Sequence, residues 1–133
     1  LEDLVRARYE RYKIVEEKEQ RAEEYRTEDA DVIVVAYGAS SRVARSAVNK
    51  AREAGKKVGL IRPITLWPFP KDAIKRAADH AKSLLVVEMS MGQMVDDVRL
   101  AAECRVPVHF YGRTGGVIPT PKEILGEIDK LLK

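Results

Sequence analysis

Residues 32–41, VIVVAYGASS, decide the fold that we predict for this chain. The opening run VIVVAY is apolar and rich in β-branched residues, which indicates a strand that is buried on both faces. The glycine and small residues that follow turn the chain into a segment whose apolar positions recur at helical spacing. Strands buried on both faces belong to parallel sheets with helices on each side. The stretch therefore predicts the first strand–helix unit of an α/β domain.

Strand and helix patterns continue to alternate after this unit. Apolar runs predict further strands at residues 58–61, 83–87 and 106–111, and each is followed by apolar residues at helical spacing. The tetrapeptide TPKE, residues 120–123, is typical of a helix start, with threonine as the N-cap and proline in the first turn. Because right-handed crossovers place helices on both faces of such a sheet, we predict a three-layer α/β/α domain over residues 30–133.

Residues 1–29 form a separate amino-terminal part in this prediction. An amphipathic helix of about 15 residues is indicated by apolar residues that share one face: Leu1, Leu4, Val5, Tyr9 and Tyr12. Its apolar stripe needs a partner, which is either this domain or the remainder of a longer protein. Residues 16–31 are very polar and predict a connector, with a short edge strand over residues 21–26. Because the chain opens on Leu1 and enters a helical pattern at once, we expect a piece of a larger protein.

The composition excludes several classes of function. The net charge of +3 arises from Lys and Arg that are interspersed with Asp and Glu, which indicates a solvated mixed-charge surface and no nucleic-acid partner. No apolar run approaches the roughly 20 residues of a membrane span, and no signal peptide is visible. We therefore predict a cytoplasmic protein with no membrane partner. The charged fraction of 34% exceeds the usual quarter and favours a thermophilic source.

The chain also lacks the residues of a typical metal site. Cys104 is the single cysteine, whereas an iron–sulfur cluster or a structural zinc site needs about four ligands. We interpret Cys104 as a small core residue near the end of a helix. His80 and His109 have no other metal-binding residue at ligand spacing. We therefore predict no metal site, and the sequence contains no convincing set of catalytic residues.

Ligands of doubly wound α/β folds bind beyond the carboxyl ends of the strands. Four loops are expected to meet there, and we call their common surface the loop face: residues 38–41, 62–70, 88–93 and 112–116. The free N–H groups at a helix start can hold an anion, and the candidates for an anion site are Ser40, Ser41, Arg62 and Arg113. The loop at residues 38–41 matches neither G-x-G-x-x-G nor a Walker loop. The simpler interpretation is a tight turn with Ser40 or Ser41 as the N-cap.

Two other residues of the loop face have alternative interpretations. Glu88 ends an apolar strand, where a carboxylate is costly to bury without a partner. A structural pair between Glu88 and Arg62 or Arg113 is favoured over acid–base chemistry, which would need a substrate pocket. Trp67 lies in a proline-rich stretch, and it is either an anchor at a protein interface or part of the core.

The order of four motifs is informative. The motifs are ADVIVVAYG at residues 30–38, RPITLWPFP at 62–70, VVEM with GQM between 86 and 94, and YGR at 111–113. Together they resemble the carboxyl-terminal part of the α subunit of 2-oxoacid:ferredoxin oxidoreductases, over residues 20–133. Residues 91–100 and 108–116 look most like the 2-oxoisovalerate (branched-chain) members, and the 2-oxoglutarate and pyruvate members are close alternatives.

The resemblance implies a fold similar to the transketolase carboxyl-terminal domain, with one antiparallel edge strand, residues 21–26, beside four parallel strands. The whole enzyme would convert a 2-oxoacid to an acyl-CoA with thiamine diphosphate, Mg²⁺, coenzyme A and iron–sulfur clusters, and pass electrons to ferredoxin. Its partners would be the remainder of the α subunit and the β and γ/δ subunits. No cofactor or catalytic residue of the family carries over onto this chain. The matching positions imply loop-face structure and subunit contact: Arg62, Trp67, Glu88, Gln93, Gly112 and Arg113.

Three hypotheses about function remain at this point. The first is a structural and assembly domain of the oxidoreductase, which is the one that we favour. The second is a module that binds a nucleotide or coenzyme A phosphate through Ser40, Arg62 and Arg113. The third is an independent small enzyme, against which the missing catalytic set speaks.

Overall fold

The strand that the sequence indicates most strongly, β2 (Val32–Val35), lies at the centre of the sheet and is completely buried. The computed structural model describes residues 1–133, which form five strands and five helices, and from β2 onwards each strand is followed by a helix. The other strands are β1 (Ala22–Tyr25), β3 (Val58–Pro63), β4 (Ser83–Glu88) and β5 (Val108–Gly112). The helices are α1 (Glu2–Lys18), α2 (Gly38–Glu53), α3 (Lys71–His80), α4 (Met94–Ala102) and α5 (Pro121–Leu132).

The sheet has the strand order β1-β3-β2-β4-β5. Strand β2 pairs in parallel with both β3 and β4, and β4 pairs in parallel with β5. Strand β1 is antiparallel to β3, with Ala22 opposite Pro63 and Tyr25 opposite Leu60. The predicted three-layer α/β/α fold is therefore confirmed, including the single antiparallel edge strand.

Each face of the sheet is covered by one pair of helices. Helices α3 and α4 pack together over one apolar cluster, and α2 and α5 pack together over the other. Helix α2 presents alanines at helical spacing, Ala44, Ala47 and Ala51, all fully buried. Because these side chains are small, α2 can lie close to the sheet. Helix α5 fills the remaining space with Ile124 and Ile128, and each large aliphatic side chain contributes roughly 1.5–3 kcal/mol by its burial.

The connection between β1 and β2 is held against β3 by a single arginine. Arg52 of α2, only 15% exposed, donates to the carbonyl oxygens of Arg26 and Val58 and to both carboxylate oxygens of Asp29. Gly59 lies beneath this connection. The contact is so close that a Cβ at this position would come within 2.6 Å of the Arg26 carbonyl oxygen. Strand β1 is therefore held in two ways, by its pairing with β3 and by the hydrogen bonds of Arg52 to the residues that follow it.

Three expectations from the sequence need correction. Helix α1 extends to Lys18, so the first part of the predicted connector is helical, and the strand predicted within it is β1. Cys104 is exposed and not in the core, because α4 ends at Ala102 and a left-handed turn, with φ of 62° at Cys104, leads the chain outwards.

No helix of the chain combines the length and the apolar character that crossing a membrane requires.

The third correction concerns the start of α2. The helix begins at Gly38 with Tyr37 as the N-cap, so neither Ser40 nor Ser41 serves as the cap. Gly38 has a φ of +59°, a conformation that glycine adopts without strain, and this allows the chain to enter the helix directly after β2. Both serines are buried in the first turn, and the Ser41 hydroxyl donates to the Gly38 carbonyl oxygen at 2.6 Å.

Candidate functional site

The loop face lies where the carboxyl ends of the parallel strands meet. Strand β2 leads through α2 to β3 on one side, and the next crossover returns past β2 to place β4 on its other side. The direction of strand succession thus reverses between β2 and β4. A reversal of this kind opens a crevice at the carboxyl ends, where doubly wound folds bind ligands.

Glu88 stands at the end of β4 and is 1% exposed. Its carboxylate accepts backbone N–H groups from Gln93 at 3.1 Å, Met94 at 2.7 Å and Val95 at 3.1 Å. The Ser90 hydroxyl lies 3.4 Å from the same carboxylate. Because α4 begins at Met94, Glu88 satisfies the N–H groups at the helix start and is favourably placed with respect to the helix dipole. The residue therefore joins the end of β4 to the start of α4.

No arginine pairs with Glu88, contrary to the structural pair that we predicted. Arg62 donates to Glu23 at 3.0 Å, and Arg113 lies 3.0 Å from Glu123. Backbone N–H groups satisfy the Glu88 carboxylate instead, and such bonds leave no trace in the residue types of the sequence. Gln93, the other predicted contact residue, is exposed and acts here through its backbone.

Gly112 brings two loops of the face into contact. A Cβ at this position would come within 2.2 Å of the Ser90 carbonyl oxygen and 2.4 Å of the Phe110 ring. The next residue, Arg113, donates its backbone N–H to the Glu88 carbonyl oxygen at 3.1 Å and so extends the pairing of β4 and β5. The close approach explains why a residue without a side chain stands at the end of β5.

Arg113 belongs to a small polar group on the outer part of the face. The Tyr111 hydroxyl donates to Glu123 at 2.6 Å, and Arg113 approaches the same carboxylate. The hydrogen bond from Tyr111, together with the nearby Arg113 guanidinium, lowers the pKa of Glu123. The same hydrogen bond, and then burial, raises the pKa of Tyr111. Thr120 caps α5 as predicted by accepting the Glu123 N–H, and the Glu123 side chain accepts the Tyr111 hydroxyl.

These opposite pKa shifts predict a pH window for the stability that Tyr111 contributes. The lowered pKa of Glu123 favours the fold above the unfolded-state pKa of this carboxyl, and that contribution is lost as the pH falls through the folded-state pKa. The raised pKa of Tyr111 favours the fold below the unfolded-state pKa of the phenol, and that contribution is lost as the pH rises through the folded-state pKa. The free energy of unfolding of Tyr111→Phe, measured in urea, should therefore be lower than that of wild type near neutral pH. The two values should become equal at both extremes of pH. The control is Tyr9→Phe on exposed α1, and an equal effect of the two substitutions would contradict the assignment.

A cleft lined by arginines opens beside the start of α2. Arg62 at 3.0 Å and Arg45 at 2.7 Å bind the two carboxylate oxygens of Glu23, and in that order they lower its pKa. The cleft has a volume of about 450 Å³ and is lined by Glu23, Gly38, Ala39, Ser41, Arg42, Arg45, Leu60 and Arg62.

The structure brings together only part of the predicted anion site. Ser41 and Arg62 line the cleft, whereas Ser40 is buried outside the lining and Arg113 is bound to Glu123. Sequence analysis missed Arg42 and Arg45. Their spacing of three residues in the first turns of α2 was a signal that could have identified them, since such positions share one side of a helix.

Exposed aromatic side chains cluster on the side of the domain where α1 leaves it. The ring of Tyr12 lies edge-on to Tyr9 and to Trp67, with 5.8 Å between ring centroids in each pair. Trp67 remains 59% exposed and Tyr9 61%. We call Tyr9, Tyr12 and Trp67 the aromatic surface. Trp67 is therefore outside the core, which leaves the interface interpretation.

Comparison with known proteins identifies the family of this chain. Residues 30–124 match the family model described as pyruvate:ferredoxin oxidoreductase core domain II. The chain belongs to this family. Ketoisovalerate oxidoreductase subunit VorB of Methanothermobacter marburgensis is 49% identical to it over 92% of the chain and 34% of VorB. The 2-oxoglutarate synthase subunit KorA of the same organism is 44% identical over 77% of the chain and 27% of KorA.

Solved structures agree with this membership. The chain superposes with a TM-score of 0.86 and 26% identity on a 2-oxoglutarate:ferredoxin oxidoreductase from Magnetococcus marinus, solved with 2-oxoglutarate, coenzyme A and succinyl-CoA bound. That match covers 99% of this chain and 23% of the solved chain. A split-gene transketolase, at TM-score 0.68 and 18% identity, shares the fold over 84% of this chain and 41% of its own. The resemblance inferred from the four motifs is thus confirmed.

The chain spans about a third of the length of the curated relative VorB, 34%. It belongs with the domains of 2-oxoacid:ferredoxin oxidoreductase subunits, as we predicted from the sequence. No group of three or more His, Cys, Asp or Glu side chains is close enough to hold a metal ion. With one exposed cysteine, its residues do not fit an iron–sulfur cluster, which needs about four thiolates.

Proposed function

We propose that this chain is the assembly domain of the α subunit of a 2-oxoacid:ferredoxin oxidoreductase and that it catalyses nothing alone. The whole enzyme would oxidatively decarboxylate a 2-oxoacid to its acyl-CoA in the cytoplasm and pass the electrons to ferredoxin. Thiamine diphosphate, Mg²⁺, coenzyme A and iron–sulfur clusters would be held by the remainder of the α subunit and by the β and γ/δ subunits. The identity to VorB favours a branched-chain 2-oxoacid as substrate.

The observation that carries the assembly role is the exposure of α1. None of the 17 residues of this helix is buried. Its apolar side chains are therefore in contact with solvent, with Leu4 69% exposed and Tyr9 61%. Most of the stability of a helix in a protein comes from the packing of its apolar face, and exposed apolar patches mark interaction sites. The aromatic surface continues this stripe onto the domain through Trp67. The remainder of the α subunit is the occupant that we propose, since the curated relative VorB is about three times as long as the matched region.

The loop face supplies the second contact in this proposal. Gly112 and Glu88 hold its loops together, and Arg62, Gln93 and Arg113 present polar groups around them. A rigid polar rim beside an aromatic anchor is the usual composition of an interface. The two surfaces would together fix the orientation of the domain in the subunit.

Assembly in trans tests the proposal. The 133-residue chain and the remaining part of its α subunit are produced separately, mixed, and assayed by calorimetry and by ferredoxin reduction with ketoisovalerate and with 2-oxoglutarate. We expect the wild-type chain to bind and to restore 2-oxoacid-dependent reduction. Trp67→Ala should weaken binding at least about tenfold, because a central aromatic anchor contributes about 2 kcal/mol or more to an interface.

The control is Arg105→Ala. Arg105 is exposed and lies between α4 and β5, at the edge of the sheet opposite the loop face, so its removal should leave binding within about twofold of wild type, as for most residues outside a hot spot. The thermal stability of the isolated chain should be the same for both variants, since both side chains are exposed. Activity of the remaining part without the chain, or equal binding by Trp67→Ala and wild type, would contradict an assembly role.

A further inference from the structure

We propose that the arginine-lined cleft beside α2 binds the diphosphate group of a small molecule. Three guanidinium groups, Arg42, Arg45 and Arg62, converge there with one carboxylate, Glu23. The planar guanidinium group pairs with two phosphate oxygens at once, which makes arginine the preferred residue for phosphate recognition. The cleft therefore carries an excess of positive charge, which would attract an anion.

The positions of these guanidinium groups are fixed before any ligand arrives. Glu23 holds Arg45 and Arg62 at 2.7 and 3.0 Å, and the Arg45 guanidinium lies 4.0 Å from the centroid of the Tyr25 ring. The Tyr25 hydroxyl is itself held by Asn49 at 2.6 Å. A preorganised site loses little side-chain entropy on binding. The Arg42 guanidinium group, by contrast, takes part in no hydrogen bond or ion pair, and the residue is exposed, so its charge is free to meet a ligand.

The start of α2 adds donors to the same cleft. No side-chain oxygen accepts the N–H groups of its first turn, and no acidic residue lies in that turn. The other helices that cover the sheet differ, since Gln20 accepts an N–H of α3, Glu88 those of α4 and Thr120 one of α5. Gly38 and Ala39 line the cleft. Their free N–H groups therefore supplement the arginine side chains, which carry the proposal.

The size of the cleft favours a diphosphate over a single phosphate. Its volume of about 450 Å³ is in the range of small-molecule sites, whose volumes start at about 300 Å³. The arginines stand on two elements, α2 and β3, so they can contact two phosphate groups of one molecule. Inorganic pyrophosphate and the diphosphate of a nucleotide share this chemistry.

Calorimetry and amide chemical shifts of the 133-residue chain test the site with inorganic phosphate, pyrophosphate and ADP. We expect pyrophosphate to bind more tightly than phosphate and to shift the Gly38 and Ala39 amides. Tighter binding of ADP than of pyrophosphate would identify a nucleotide as the source of the group, and weaker binding would identify the free diphosphate. Either order supports the site, whereas the absence of saturable binding at millimolar pyrophosphate would overturn it.

Variants separate this cleft from a general surface charge. Arg42→Ala should weaken pyrophosphate binding about tenfold, the value of one charge-assisted hydrogen bond. Arg62→Ala should also weaken it, since Arg62 lines the cleft from β3. Arg105→Ala is the control, because Arg105 pairs with Asp79 on another surface, and it should bind like wild type. Equal weakening by Arg42→Ala and Arg105→Ala, or an unchanged affinity in Arg62→Ala, would overturn the proposal.

Discussion

Glu88→Ala is expected to lower the free energy of unfolding by about 3–5 kcal/mol. The substitution would leave the backbone N–H groups of Gln93, Met94 and Val95 without their acceptor. It would also open a cavity, since Glu88 is among the largest fully buried side chains. Urea unfolding followed by circular dichroism measures the loss.

Two variants show whether the loss arises from the carboxylate. Glu88→Gln keeps one acceptor oxygen but turns an amide NH₂ group towards backbone donors, so a smaller loss of about 1–3 kcal/mol is expected. Thr120→Ala removes the exposed cap of α5 and should cost about 1 kcal/mol. If Glu88→Ala costs no more than Thr120→Ala, Glu88 does not connect β4 to α4 in the way that we describe.

Gly112→Ala should have the second largest effect, a loss of at least about 2 kcal/mol. Its added methyl group would meet a backbone carbonyl oxygen, that of Ser90 at 2.2 Å, as well as the Phe110 ring at 2.4 Å. A backbone atom cannot rotate away as a flexible side chain can, so the loop at Ser90 would have to shift. Thermal unfolding of the variant chain measures this effect.

Gly126→Ala is the matched control for Gly112→Ala. Gly126 lies inside α5, and a Cβ there would meet no atom within 4 Å. Alanine is preferred over glycine inside a helix by about 0.5–1 kcal/mol, so this variant should gain stability. A loss of stability in both variants would mean that the contact around Gly112 is not the cause.

Much of the fold could be predicted because its signals are local and repeated. The strand β2 and the helices after it were indicated by apolar periodicity, and the family resemblance added that the predicted edge strand, β1, is antiparallel. The Thr120 cap was predictable because its two partners lie three residues apart. Cys104 was misassigned because helical periodicity alone does not reveal where a helix ends.

The partners of the charged residues could not be predicted from the sequence. Glu88 was matched with arginines, but its partners are backbone N–H groups, which every residue except proline possesses. Arg62 pairs with Glu23, 39 residues away in the sequence, because β1 turns back along β3. Such a pair depends on the register of an antiparallel strand, and the residue types of a single sequence do not encode that register.

Helix α1 is attached to the domain mainly at its carboxyl-terminal end. Its 17 residues make it about 25 Å long, and none of them is buried in the domain. The chain just after it is anchored, since Gln20 accepts the N–H of Asp72, and Arg21 accepts the N–H groups of Ile64 and Thr65 and donates its own to the Thr65 hydroxyl. These anchors flank the loop that carries Trp67. A displacement of the surface on which α1 docks would therefore be transmitted first to this loop and to the end of β3.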